Sequence, residues 1–121
     1  MFGKTQAFSG FSVDDVPAAK EFYTGTLGLD VDEEHGMLQL KIAGGHPVLV
    51  YPKDDHTPAA YTTLNFPVAD IAAAARELAA RGVTFERYDD GQDELGVLRT
   101  EGPPIAWFKD PAGNVLSIIE E

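Results

Sequence analysis

The feature that most constrains this chain is that its pattern starts over halfway along. Phe11, Val13, Asp15 and Val16 recur at a constant shift as Phe66, Val68, Asp70 and Ile71, and the shift slips by one residue where Leu27-Gly28-Leu29 meets Arg81-Gly82-Val83. Farther along, Ile42 to Gly45 falls on Asp110 to Gly113, Val48 on Leu116 and Val50 on Ile118, the difference being absorbed in longer loops after Tyr88. Self-similarity over this span implies two copies of one supersecondary unit.

The elements of each copy follow from periodicity. Phe11 and Val13 alternate with Gly10 and Ser12, which predicts a half-buried strand over 7–13. Asp14-Asp15 before Val16-Pro17 predicts a helix start, with a carboxylate cap and Pro in the first turn. Val16, Ala19, Tyr23 and Leu27 keep helical spacing, and Gly28 ends the helix. Strands are then expected over 29–31, 37–42 and 48–51, with Leu38, Leu40 and Ile42 facing inward. The segment from Pro52 to Pro58 reads as a linker.

In the second copy, a strand over 61–68 leads to an Ala-rich helix over 71–81, capped by Asp70 and closed by Gly82. Its buried stripe is expected to be Ile71, Ala74, Ala75, Leu78 and Ala79. Further strands are expected over 83–88, 97–100, 105–108 and 115–120, and the acidic run from Asp89 to Glu94 reads as a solvated loop. Asp110-Pro111-Ala112-Gly113-Asn114 has turn chemistry and predicts a C-terminal hairpin. Its second arm carries Leu116 and Ile118 on one face and Val115, Ser117 and Ile119 on the other, so it should be buried on both sides. The predicted fold class is α+β: two tandem βαβββ modules, about 5–52 and 60–121, within a single domain of 1–121.

Composition narrows the function classes. A hydrophobic content of 44% supports a real core. No run approaches the roughly 18 apolar residues of a membrane span, and MFGKTQAFSG lacks the features of a signal peptide. There is no cysteine, which excludes disulfides and thiolate metal sites. These features together give a cytoplasmic expectation. The formal net charge of -11 repels nucleic acid and anionic membranes, so neither is expected as a partner. It either attracts cationic ligands over a salt-limited distance or simply keeps the protein soluble.

The helix ending Phe22-Tyr23-Thr24-Gly25-Thr26-Leu27-Gly28-Leu29 resembles the FY-x-x-x-LGL signature of the vicinal oxygen chelate superfamily, which includes glyoxalase I, bleomycin-resistance proteins and extradiol dioxygenases. Val68-Ala69-Asp70-Ile71 and the ending Trp107-Phe108-Lys109-Asp110-Pro111-Ala112-Gly113-Asn114 are similar to that family's second-half and C-terminal patterns. The resemblance implies a curved sheet from each module, the two cupping a cleft, in a homodimer. In metal-dependent members a divalent ion is held by His, Gln or Glu from the first and last strands of each module. Carried over residue by residue, those places fall on Phe8, Leu49, Thr63 and Ser117. None is a usual ligand for a catalytic divalent metal, so no metal and no cofactor are expected. His35, His46 and His56, beside Glu33, Glu34, Asp54 and Asp55, are the only material for a displaced metal site. Loop imidazoles next to solvated acids are the commoner reading.

Strand parity sketches the cleft wall. If Leu38 and Leu40 face the helices, Gln39 and Lys41 face the cleft, and the repeat maps Gln39 onto Trp107. Trp107 then lines the wall with Ile105, while Phe108 joins the core. The same parity assigns Phe8, Leu49, Tyr51, Tyr61, Thr63, Ser117 and Ile119 to the wall, an apolar and aromatic surface with a few hydroxyls. Three readings follow. The first is a metal-free protein that binds a planar or cationic small molecule, as drug-sequestering members of the family do. The second is a divergent lyase, isomerase or dioxygenase with relocated acid-base groups, for which Glu101, Lys41, Arg99 and Tyr61 are candidates. The third is a non-catalytic interaction module whose cleft is filled by its own side chains.

Overall fold

Asp15 starts the first helix as its place in the sequence predicts. In a computed structural model that describes residues 1–121, its carboxylate accepts the Ala18 amide at 3.0 Å, with Pro17 in the first turn. The chain divides into two compact units, Met1–Thr57 and Pro58–Glu121.

Module one contains β1 (Gly10–Val13), α1 (Val16–Glu21), β2 (Val31–Glu34), β3 (Met37–Leu40) and β4 (Val48–Pro52), with sheet order β1-β4-β3-β2. β1 runs parallel to β4, and β2, β3 and β4 pair antiparallel. Helix α1 is shorter than expected because it loosens into a π-type turn over Phe22–Thr26, where the Leu27 amide reaches the Phe22 carbonyl at 3.0 Å. The turn seats Tyr23, fully buried, edge-on to Phe22 at a 5.2 Å ring separation. Gly28, at φ 71, closes it. Leu29 belongs to this closure, its amide donating to Tyr23 O at 2.9 Å, so β2 starts at Val31 rather than Leu29. His35 and Gly36, at φ 55 and 75, form the tight turn between β2 and β3.

Module two contains β5 (Thr62–Val68), α2 (Ile71–Ala80), β6 (Ile105–Lys109) and β7 (Val115–Glu120), with sheet order β5-β7-β6. Asp70 caps α2 through the Ala73 amide at 3.0 Å, and Glu120 of β7 accepts the Ile71 amide at 3.1 Å. Ile71 and Ala75 are buried, whereas Ala79 at the end of the expected stripe is exposed. The turn between β6 and β7 is built on Asp110, only 4% exposed, whose carboxylate accepts the amides of Ala112 and Asn114 and the Asn114 side chain. From Val115 to Ile118 every residue of β7 is buried.

The fold is α+β, with mixed sheets of four and three strands. Each module repeats one plan: first strand parallel to last, last strand antiparallel to the one before it. The expected strands over 83–88 and 97–100 are corrected. Around them the Gln92 side chain bonds the amides of Tyr88 and Asp89 and the carbonyls of Glu86 and Gly96, and the Asp93 carboxylate accepts the Val97 amide. Sheet-like contact consists of Glu86 N to Trp107 O at 2.8 Å and the isolated antiparallel bridges Gln92–Leu98 and Leu98–Ile105.

Candidate functional site

The sheet register places the predicted wall residues. In module one, Gly10, Leu49 and Gln39 are direct cross-strand partners, so all three share one face. In module two, Asn65, Ser117 and Trp107 are partners in the same way. These are the residues that the sequence repeat equates. The opposite face is the core: Leu38, Leu40, Val50, Ala106, Phe108 and Leu116 are fully buried.

On module one, Phe8, Gln39 and Leu49 line one hollow of about 350 Å³ together with His46 and Pro47. Phe8 is 64% exposed and lies ahead of β1, because pairing with β4 begins only where the Leu49 amide meets Ser9 O at 3.0 Å. An adjoining hollow is lined by Gln6, Gly44, Gly45 and His46. His46 Nε2 lies 2.8 Å from Gln6 Oε1. Tyr51 sits one row away, opposite Ser12, and does not line either hollow. The hydroxyl of Ser12 is 2.7 Å from His56 Nδ1. The turn that carries His56 is tied down by Lys53 N to Val13 O and His56 N to Lys53 O, each 3.0 Å.

On module two the equivalent row is closed. Ser117, on a strand expected to be buried on both sides, is 0% exposed, and its hydroxyl donates to Asn65 Oδ1 at 2.5 Å. Thr63 stands at a register irregularity between Thr62 and Leu64, its hydroxyl donating to Val115 O at 3.1 Å. Trp107 is half-buried and packs edge-on against the exposed Tyr88, ring centres 5.5 Å apart. Tyr61, 72% exposed, precedes β5.

The metal places can now be tested by their donor chemistry. Phe8 and Leu49 offer no donor atom, and the hydroxyls of Thr63 and Ser117 are directed at protein acceptors. This set does not fit a divalent cation. The three histidines do not gather into a displaced site either: His35 lies 3.6 Å from Glu34, His46 meets Gln6 and His56 meets Ser12. No group of three or more His, Cys, Asp or Glu side chains comes close enough to hold an ion.

Among the relocated acid-base candidates, Lys41 pairs with Asp32 at 3.3 Å and Arg99 with Asp93 at 2.5 Å, while Glu101 and Tyr61 are exposed. Asp93 also organises the run that was expected to be a solvated loop. Its carboxylate accepts the Leu95 and Val97 amides at 2.9 Å, and Arg87 binds the Asp93 and Glu94 carbonyls. Burial works to raise the Asp93 pKa, but the Val97 amide, Arg99 and the Leu95 amide outweigh it and hold the carboxyl below its ordinary value. The acidic run is therefore an ordered loop.

With this geometry established, comparison with known proteins decides the family. A model of the Glyoxalase/Bleomycin resistance protein/Dioxygenase superfamily matches residues 7–118. The chain belongs to this superfamily. Among solved structures, it is similar to TnmS3, an antibiotic binding protein from Streptomyces sp. CB03234, at 25% identity and TM-score 0.69, covering 97% of each chain. It is similar to a glyoxalase family protein from Enterococcus faecalis at 25% identity and TM-score 0.71, covering 99% of this chain and 100% of the other. A superfamily member from Sphaerobacter thermophilus has 25% identity and TM-score 0.70, covering 95% of this chain and 97% of the other. No curated protein sequence gives a significant match. No helix is long and apolar enough to cross a membrane.

Sequence reasoning missed His46 and Pro47 in the hollow, Asn65 as the partner of Ser117, and Tyr88 against Trp107. Asn65 was within reach, because the shift that equates Phe11 with Phe66 also equates Gly10 with Asn65. His46 and Pro47 lie outside any periodic element, and Tyr88 lies in a segment that was expected to be a strand and is not one.

Proposed function

We propose that this superfamily member is a metal-free protein that binds a small organic molecule on the apolar hollow of module one. The observation that carries the reading is that Phe8 and Leu49, at two of the family's metal-ligand places, supply apolar lining to that hollow and no metal donor. A concave, mostly apolar surface with a few polar groups is the usual chemistry of a ligand site. The similarity to an antibiotic binding protein agrees with this reading. Trp107, with Tyr88 against it, gives module two an aromatic surface suited to stacking, and a homodimer belongs to the same proposal.

Three measurements test it. Metal analysis, with thermal-shift titration of nickel, zinc, iron and manganese, is expected to find no stoichiometric ion, and one tightly bound ion per chain overturns the metal-free reading. A panel of planar drugs is expected to raise the melting temperature of the wild type but not of Leu49→Asp. Light scattering at micromolar concentration reads the dimer directly.

A further inference from the structure

We infer that the hollow of module one selects a neutral planar aromatic molecule carrying a hydrogen-bond donor, such as an aryl carbinol or phenol, rather than the cation that the net charge would draw. This rests on the reading of the hollow as a ligand site and specifies its ligand. The hollow, about 350 Å³, is lined by Phe8, Gln39, His46, Pro47 and Leu49, with no Lys, Arg, Asp or Glu among them. That volume is at the small end of ligand sites and suits a few fused rings. Phe8, Pro47 and Leu49 present apolar surface that can cover a ring face.

A charged ligand there meets no opposite charge on the lining, whereas an apolar ring gains by covering Phe8, Pro47 and Leu49. The neighbouring charges do not supply one. Asp32, across from Gln39 in the sheet, is paired with Lys41 at 3.3 Å, and both side chains are more than half exposed, at 59% and 53%. The formal charge of -11 acts from a distance and is screened within about 8 Å at physiological salt, so it affects encounter more than selection in the hollow.

The polar groups define the rest of the ligand. Gln6 Oε1 is an acceptor, so the contact at 2.8 Å requires the hydrogen on His46 Nε2. In the neutral ring this leaves Nδ1 as the acceptor, and a ligand hydroxyl or N–H is its complement. Gln39 offers both a donor and an acceptor and so tolerates either.

The test uses the full chain and a matched series: anthracenemethanol, the anthracenemethylammonium cation, anthracenecarboxylate and methylanthracene, titrated by probe fluorescence at about 0.15 M salt. Anthracenemethanol is expected to bind at least about tenfold more tightly than either ion, a difference of about 1.4 kcal/mol. His46→Phe is expected to remove most of its advantage over methylanthracene, with circular dichroism confirming the fold. If the ammonium ion binds best with a salt-dependent affinity, or if the carboxylate binds best, the selection argued here is wrong while ligand binding stands. If no probe binds, or if Leu49→Asp and Phe8→Ala leave binding unchanged, the ligand-site reading itself fails.

Discussion

Gly10, Leu49 and Gln39 in module one and Asn65, Ser117 and Trp107 in module two occupy the same register in two copies of one unit, yet they make opposite surfaces. In module one the central residue is apolar and half-buried, and with Gln39 beside it lines an open hollow. In module two the central residue is a serine with no exposed surface, bonded to Asn65 and directly opposite Trp107. Equivalent backbone positions therefore do not give equivalent sites. What differs is side-chain volume and where each polar atom finds its partner.

The turns differ in the same way, and substitutions there should give the largest effects. Asp110→Ala removes the acceptor for two buried amides and the Asn114 side chain, and we expect a loss of about 3 kcal/mol by urea unfolding. Ile42, the equivalent residue, is half-buried outside any strand, and Ile42→Ala should cost less than half as much. Equal losses would mean that the two turns do not differ as their contacts indicate.

Exchanging the central residues comes next. Ser117→Leu places a larger side chain in fully packed surroundings and should cost about 2 kcal/mol. Leu49→Ser should cost about 1 kcal/mol, from apolar area alone, while abolishing binding of the planar probes. A Ser117→Leu variant as stable as the wild type would show that the module-two row has room.

The equivalent glycines give a smaller contrast. Gly113 has φ +87, and a Cβ there would lie 2.9 Å from Pro58 Cγ, so Gly113→Ala should lower stability by about 1 to 2 kcal/mol. A Cβ on Gly45 meets nothing within 4 Å, and Gly45→Ala should change stability by less than about 0.5 kcal/mol in thermal melts.

A comparably small effect concerns the loop from Tyr88 to Arg99, where module two departs from the β2–β3 arm of module one. The folded Asp93 carboxyl titrates below its unfolded value, so its stabilisation is present above about pH 4 and is lost as pH falls through the folded value. Because Asp93 is partly exposed, we expect less than about 1 kcal/mol. Asp93→Asn should flatten the pH dependence of stability below pH 4, and an unchanged curve would show that the loop does not depend on this charge.

Much of the fold was legible in the chain itself. Asp15 and Asp70 mark helix starts because a short carboxylate before an apolar helical stripe has a local role, independent of what the helix packs against. Trp107 and Phe108 separate onto opposite faces because strand parity is fixed by the backbone. That 83–88 and 97–100 form no strands was not legible. Val83 to Tyr88 has strand propensity, but Gln92, from a later segment, takes the Tyr88 amide and the Glu86 carbonyl.

By itself, the sequence determined that one βα-containing unit occurs twice and which faces of its strands are apolar. These are properties of local period and of side-chain chemistry, and they are read without knowing any distance. Only the tertiary structure decided that Ser117 is sealed by Asn65, that Phe8 and Leu49 share a hollow with His46 and Pro47, and that the acidic run is held by Asp93. Each of these joins residues far apart in the chain or outside any periodic element, and packing settles such pairings by volume and hydrogen-bond geometry.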